Sequence, residues 1–450
     1  MLLRSIALAF ASTCMVGSAA VAQAEITERS VAAHEAFLAS DALQGRGSAT
    51  RDEAIAAAYV ASEFQSYGLV PAPGMSGYLQ PATLVRVVLD GAPTMSVAGV
   101  PLPPPTLLIG PGNSASGQLV VADTADPAKL PRGDVLLVPS ASSDFRAVGE
   151  AARNNNTKLL VLPLNDVTQK YVGMMGGKPR LPTYLEGDSP STRMSIVLLP
   201  PDAIAELAKK PGAVVSLTVP SRQERAITTN AIGYLAGSDP KAGTLLLTAH
   251  LDHLGVRPDV TIMHGANDDA SGTTAVLELA QALASGKPPR RSILFVCYGS
   301  EEIGEYGSTY FGEHPPVPLS QIVANVEFEM IGAQDPKLPA NTLMMTGFDR
   351  SNLGPALKQH GALVTGDPYP EQHFFQRSDN YALALKGVVA HTVSGWAVTP
   401  TYHQPTDTYA NLNIPFMSNA IHSLVGPIEW LANSDFVPAW NPGGKPSPER

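Results

Sequence analysis

The chain has 450 residues, 44% of them hydrophobic and 16% charged, a globular composition that argues against disorder; at about 150 residues per domain it suggests two or three domains. The formal charge of −10 argues against a nucleic-acid partner, because phosphate binding needs a basic face that this composition hardly supplies. The basic cluster Lys287 to Arg291 reads as a solvated turn between a helix and a strand.

In chain order, Met1, Leu2, Leu3 and Arg4 precede an apolar run from Ile6 to Ala22, closed by Ala22-Gln23-Ala24 before Glu25. This pattern predicts a secretory signal peptide over residues 1–24, cleaved after Ala24. Ser12, Thr13, Gly17 and Ser18 dilute the run below what a membrane anchor needs. The expected localisation is therefore periplasmic or secreted, with no membrane anchor after cleavage. The mature chain keeps one cysteine, Cys297, so no internal disulfide can form in that oxidising compartment. Cys297 lies within the apolar run Ile293 to Tyr298 and reads as strand packing, not as a nucleophile.

Residues 25–86 form the N-terminal helical part of the main domain. From Ser30 to Tyr67 the spacing of Ala32, Phe37, Leu38, Ile55, Ala58, Ala61 and Phe64 predicts two helices. Residues 87–221 change character. Short apolar runs at Gly117 to Ala122, Asp134 to Val138, Leu159 to Pro163 and Met194 to Leu199 alternate with turn residues, and short helices at Phe145 to Arg153 and Ala203 to Leu207 intervene. This predicts an inserted small β-rich domain with no residues placed for chemistry. Over residues 226–433 strands and helices alternate: strands at Leu245 to Ala249, Ile293 to Gly299, Ile322 to Met330 and Gly387 to Val393, with a helix at Thr273 to Leu283. The fold class is therefore α/β, a mostly parallel central sheet flanked by helices, whose ligands bind beyond the carboxyl ends of the strands. Residues 434–450, rich in proline and glycine, predict a flexible tail.

Five segments of this domain carry candidate chemistry. In Thr248 to Gly255, His250 and Asp252 stand two apart at a strand end, so in extended chain they share a side and the carboxylate can fix the imidazole tautomer. His253 is expected to point the other way and to be structural. Gly265 to Gly272 sets Asp268 and Asp269 between glycines just before a helix. One carboxylate can then face two cations while its neighbour braces the backbone. In Tyr298 to Gly304, Glu301 and Glu302 follow a buried strand, so one can ligate a metal and the other accept a proton from water. Asn325 to Gly332 alternates Glu327 and Glu329 with apolar residues, a pattern that an edge strand with one wet face also explains. The last segment, Thr401 to Thr408, is a proline-marked loop holding Tyr402 and His403. Imidazoles and carboxylates without a thiolate suit zinc.

In their order HLDHLG, GANDDASG, SEEIG, EFEMIG and YHQPTD, these segments resemble the co-catalytic zinc aminopeptidases related to bacterial leucyl aminopeptidase, glutamate carboxypeptidase II and the transferrin receptor. The resemblance covers about residues 226 to 430, and Phe37 to Arg46 looks like that family's opening segment. It implies two zinc ions bridged by Asp268, one completed by Glu302 and His403 and the other by His250 and Glu329. It also implies Glu301 as general base, Asp252 as the carboxylate that orients His250, and Tyr402 as an oxyanion donor. Many members carry aspartate where this chain has Glu329, and Glu327 competes for the same metal. The 87–221 insert resembles, mainly by its location, the protease-associated domain of several relatives. The implied activity is an aminopeptidase acting on peptides with a free N-terminus. A carboxypeptidase or dipeptidase of the same superfamily, a single-zinc glutaminyl cyclase and a non-catalytic receptor-like module are the alternatives.

Overall fold

The computed structural model describes residues 24–447 apart from 175, 191 and 192. The expected signal peptide, but for Ala24, lies outside the described residues.

Nine strands make one mixed sheet. In spatial order they are Val364–Gly366, Leu343–Met345, Ala390–Ser394, Ile322–Glu329, Thr244–His250, Ser292–Tyr298, Ser221–Leu235, Leu79–Leu89 and Thr183–Leu185. The four strands from Ala390–Ser394 to Ser292–Tyr298 are mutually parallel. Their last residues, Ser394, Glu329, His250 and Tyr298, consequently end on one rim. Every residue of Thr244–His250 and Ser292–Tyr298 is buried, which is why these strands read as unbroken apolar runs. Leu245, Leu247, Phe295 and Cys297 face a core shared with helices Glu28–Leu38, Arg51–Ser66, Ser271–Ala284 and Ile414–Asn433. Leu246, Leu294 and Val296 face the opposite core, closed by Phe311, Leu383 and Ala384.

A second sheet of eight strands lies between residues 94 and 218. Its strands Ala115–Val121, Val135–Leu137, Leu159–Pro163 and Ser195–Leu199 are parallel, and helices Phe145–Asn154, Asp166–Met174 and Pro201–Ala208 accompany them. This unit is more α/β than its short, turn-rich runs suggest, because helices of eight to ten residues leave little periodicity to read. The junction expected at residue 87 falls inside a strand. Leu79–Leu89 pairs antiparallel with Ser221–Leu235, Leu79 opposite Ala231 and Leu89 opposite Ser221. The two make a ribbon of the main sheet from which the second unit extends. Thr183–Leu185 then returns to pair with that ribbon.

Two surface expectations change. Arg291 is buried, donating to the carbonyls of Ala242, Leu431 and Phe436, so the Lys287 to Arg291 cluster is half interior. The tail expected to be flexible is docked as far as it is described. Trp440 bridges to Ser351 and its ring packs on Phe375 and His391, while Asn441 donates to the Arg350 carbonyl. A half-buried aromatic anchor outweighs the proline and glycine content around it.

Arg46 fixes the N-terminal segment to the rim. It is fully buried, and its guanidinium donates to the carbonyls of Leu38, Leu251, His264 and Gly265 at 2.6–2.8 Å. One side chain thus holds the end of the first helix, the turn after His250 and the turn before Asp268. Replacing it by leucine leaves four buried carbonyls without a donor, each worth about 1–3 kcal/mol when orphaned. Arg46→Leu is expected to destabilise the fold by about 3 kcal/mol or more in denaturant unfolding; a loss below about 1 kcal/mol would refute this role.

Candidate metal centre

His250 and Glu329 are the last residues of adjacent parallel strands. Glu301 and Glu302 follow the neighbouring strand after Ser300, whose left-handed backbone (φ 56°) turns the chain across the rim. Met330, directly after Glu329, makes the same kind of turn (φ 54°). Such conformations cost non-glycine residues about 1–2 kcal/mol and persist where surrounding bonds over-determine them.

Those bonds are present. Asp269 Oδ1 accepts the backbone N–H groups of Gly272 and Met330 at 2.8 and 3.0 Å. Ser271 Oγ accepts from Ile331 at 2.9 Å and Asn267 Oδ1 from Gly332 at 2.8 Å. Three consecutive amides after Glu329 are therefore held by side chains of the Asp268 loop. Asp407 holds that loop from the other side, its two oxygens accepting from Asn267 N and Asp268 N at 2.9 and 3.0 Å. A Cβ on Gly272 would stand 2.1 Å from the Phe328 carbonyl oxygen, so only glycine lets the helix start this close to the strand. Glu53 braces the base segment, accepting from both Ser300 N and Ser300 Oγ.

The side chains so positioned converge. His250, Asp268 and Glu329 each offer one atom within 4.8 Å of the others, as do His253, Asp268 and Glu302. His250 Nε2 is 3.4 Å from Asp268 Oδ1. His403 Nε2 lies 3.1 Å from Asp268 Oδ2 and 3.2 Å from Glu302 Oε2. The two oxygens of Asp268 thus face different imidazoles. Both ring nitrogens of His250 and His253 Nε2 are buried without a well-aligned hydrogen bond, and His253 Nδ1, Asp268 Oδ2 and Glu302 Oε1 meet only other members of the same set. Buried polar atoms left this way are costly, and an imidazole and carboxylate set aimed inward fits zinc at two adjacent positions sharing Asp268.

The electrostatics of the rim follow from burial against proximity. Burial by itself would raise Asp268, but hydrogen bonding to His250 and His403 and the charge of His253 hold its pKa far below the ordinary value. Burial, and then the like charges of Asp379, Glu302 and Glu329, push Glu301 well up against the pull of His250. Glu329 rises to about 7, chiefly by burial. Burial lowers His403, yet Asp268 and Glu302 outweigh it and carry the imidazole to about 10.

His250, Asp252, Asp268, Glu301, Glu302, Glu329, Tyr402 and His403 all stand at this rim. Two details differ from the sequence reading. His253 does not turn away: its Nδ1 sits 2.7 Å from Glu302 Oε1 and its ring meets that of His403 edge-on. The strand ends at His250, and two-residue alternation has no meaning beyond it. For the same reason Asp252 Oδ1 is 3.7 Å from His250 Nδ1, beyond hydrogen-bond range. Its oxygens accept instead from Ser48 Oγ and from the backbone N–H groups of Glu301 and Glu302. Glu327 and Glu329 are separated by depth. Glu327 is buried in the sheet interior, accepting from Asn380 N and Thr392 Oγ1, and Glu329 is the one beside His250 and Asp268. Tyr402 stacks on His403 with ring centroids 3.9 Å apart. Sequence reasoning passed over Arg46, Glu53 and Asp407 as site braces. Asp407 alone carried a signal, its place four residues after His403.

Residues 230–424 match Peptidase family M28. The chain is 25% identical over 231 residues to an aminopeptidase of Pseudomonas aeruginosa, covering 51% of this chain and 40% of that one. It is 36% identical over 207 residues to leupeptin-inactivating enzyme 1 of Streptomyces exfoliatus, covering 41% and 44%. The chain thus spans less than half the length of these curated relatives. Among solved structures, an aminopeptidase from Aneurinibacillus sp. strain AM-1 superposes with a TM-score of 0.59 at 18% identity, covering 91% of this chain and 95% of that one. A zinc aminopeptidase from Bacillus subtilis gives 0.57 at 18% identity, covering 91% and 96%. These likenesses establish the α/β fold of zinc aminopeptidases.

If Asp407 sets the metal geometry through the Asp268 loop, Asp407→Ala lowers zinc affinity by about 10–100-fold, the usual effect of removing a residue that orients a ligand. Competition with a chromophoric chelator measures it, and an unchanged affinity would show that the loop holds its shape without Asp407.

Proposed function

The chain carries an M28 peptidase domain across residues 230–424, and on that premise we propose that it is an exported di-zinc exopeptidase, an aminopeptidase that removes N-terminal residues from peptides. The observation that carries this reading is Asp268, whose two oxygens face His250 and His403 separately at 3.4 and 3.1 Å, with buried imidazole nitrogens of His250 and His253 that lack a well-aligned hydrogen bond beside them. His250 and Glu329 would hold one ion, Glu302 and His403 the other, and Asp268 both. His253, also against Glu302, sits beside the second set. Two bound zinc ions would supply acidification of water and polarisation of the scissile carbonyl.

The protein's own groups do the rest. Glu301 stands on the rim with its backbone N–H held by Asp252 at 3.0 Å. A carboxylate with a pKa raised by burial and neighbouring acids can take a proton from attacking water and pass it to the leaving amine. Burial and the charges of Asp268, Glu329 and Glu302 push the Tyr402 phenol up, so it stays protonated and able to donate to a developing oxyanion. Asp252 fixes the Glu301–Glu302 backbone and faces His250 from 3.7 Å. Export rests on the pattern of residues 1–24; among the described residues no helix is long and apolar enough to cross a membrane. The unit between 94 and 218 we read as a protease-associated-like insert that bears on the site through Thr183, whose carbonyl accepts from Tyr306 Oη in the helix just after the Glu301 turn.

Glu301→Gln is expected to lower kcat on aminoacyl anilides by about 10³-fold or more while zinc content stays the same; surviving turnover would place the base elsewhere. Asp268→Asn is expected to lower the content of both ions together by metal analysis, whereas loss of a single ion would refute the shared carboxylate. A panel of aminoacyl anilides against N-acetylated peptides, with and without chelator, separates the aminopeptidase from the carboxypeptidase or dipeptidase reading. Absence of bound zinc would favour a receptor-like module.

A further inference from the structure

Beside Glu329 and Tyr402 the rim drops into a small, partly open recess. Met330, Met344 and Phe374 give it apolar walls, and besides Glu329 and Tyr402 its polar lining is Thr346, Thr392, Ser394 and Arg377. Ser394, 3% exposed, ends its strand there with its hydroxyl buried and unpartnered. Arg377 stands at the opening with its guanidinium carbon 5.0 Å over the Phe374 ring. Among the described residues this guanidinium meets no carboxylate and no carbonyl oxygen, although the neighbouring rim is crowded with acids. Arg350, one loop away and likewise over an aromatic ring, does donate to a carbonyl, that of Gly444.

Resting on the aminopeptidase reading above, we propose that this recess takes the side chain of the substrate's N-terminal residue and that Arg377 with Ser394 selects an acidic one, glutamate or aspartate. A substrate whose carbonyl lies at the Asp268 rim, with its free amine among the carboxylates, has its first side chain directed to the cavity next to Glu329. The methylene stem of glutamate packs on Met330 and Met344. Its carboxylate then pairs with a guanidinium that the Phe374 face holds in place, a charge-assisted contact of the stronger kind. A leucine side chain would instead leave the Ser394 hydroxyl buried without a partner and press hydrocarbon against the charge.

The test uses the full-length, zinc-loaded protein. Wild type is expected to hydrolyse glutamyl p-nitroanilide with a kcat/KM at least about tenfold above the leucyl substrate, and Arg377→Gln to lower that glutamyl-to-leucyl ratio by about tenfold to a hundredfold. Arg377→Glu shifts the preference towards lysyl substrates. A wild-type preference for leucine, or an unchanged ratio in Arg377→Gln, overturns the inference. So does an Arg377-dependent preference found only for N-acetylated peptides with a free C-terminus, since that carboxylate comes from the other end of the substrate. A second readout needs no turnover: calorimetric titration is expected to show L-glutamate binding more tightly than L-leucine, with the difference lost in Arg377→Gln. If that binding difference holds while no free-amino anilide is cleaved, the recess assignment stands and the aminopeptidase reading falls.

Discussion

The structure depends on keeping a crowd of carboxylates together, away from water, at one end of a parallel sheet. Asp252, Asp268, Asp269, Glu327 and Asp379 are all at most 2% exposed, and Glu301, Glu302 and Glu329 join them at the rim. Desolvated like charges repel, so each must be answered by a donor or a cation. Most of the answers are backbone amides: those of Asn267 and Asp268 for Asp407, of Gly272 and Met330 for Asp269, of Glu301 for Asp252. Among the described residues, Asp268, Glu302 and Glu329, the acids of the candidate ion sites, have no such amide donors, and neither does Asp379, whose two oxygens are buried without a hydrogen bond.

Arg46 supplies the fixed positive charge behind this rim. The carboxylates of Glu35, Asp407, Asp252 and Asp269 all act on it, while its hydrogen bonds go to carbonyls at the turns on either side of the site. It therefore serves twice, tying the helical N-terminal segment to the sheet and offsetting the field of the acids. Glu53, from the second helix of the same segment, does the complementary job for amides, receiving Ala49, Thr229 and Ser300. The first sixty residues of the described chain are thus part of the site's support although no candidate ligand lies in them.

The same logic separates two glutamates of one strand. Glu327 is level with Thr248 and Thr392 in the neighbouring strands, and burial with the charges of Asp379 and Glu329 pushes its carboxyl well up. Glu329, one pleat further, forms the last rung with Ser394, lies past the last rung with the Thr244–His250 strand and comes beside His250 and Asp268. Two residues of rise, roughly 6–7 Å, decide between an interior acid and a ligand.

The sequence by itself determined the α/β alternation, the parallel strands and the residues at their ends. A buried parallel strand must be apolar throughout, and a metal site at its carboxyl end must interrupt that run with histidine and acid, as His250, Glu302 and Glu329 do. Only the tertiary structure decided what depends on a turn or on a distant partner. Alternation stops where pairing stops, so the inward placement of His253 and the 3.7 Å gap at Asp252 had no local signature. Arg46, Glu53 and Asp407 act across 139 to 247 residues of chain through hydrogen bonds to backbone groups, which any sequence offers at every position. The docking of Trp440 and the mixed character of the second sheet were hidden for the same reason: composition records what a segment contains, while its place is set by the surface it meets.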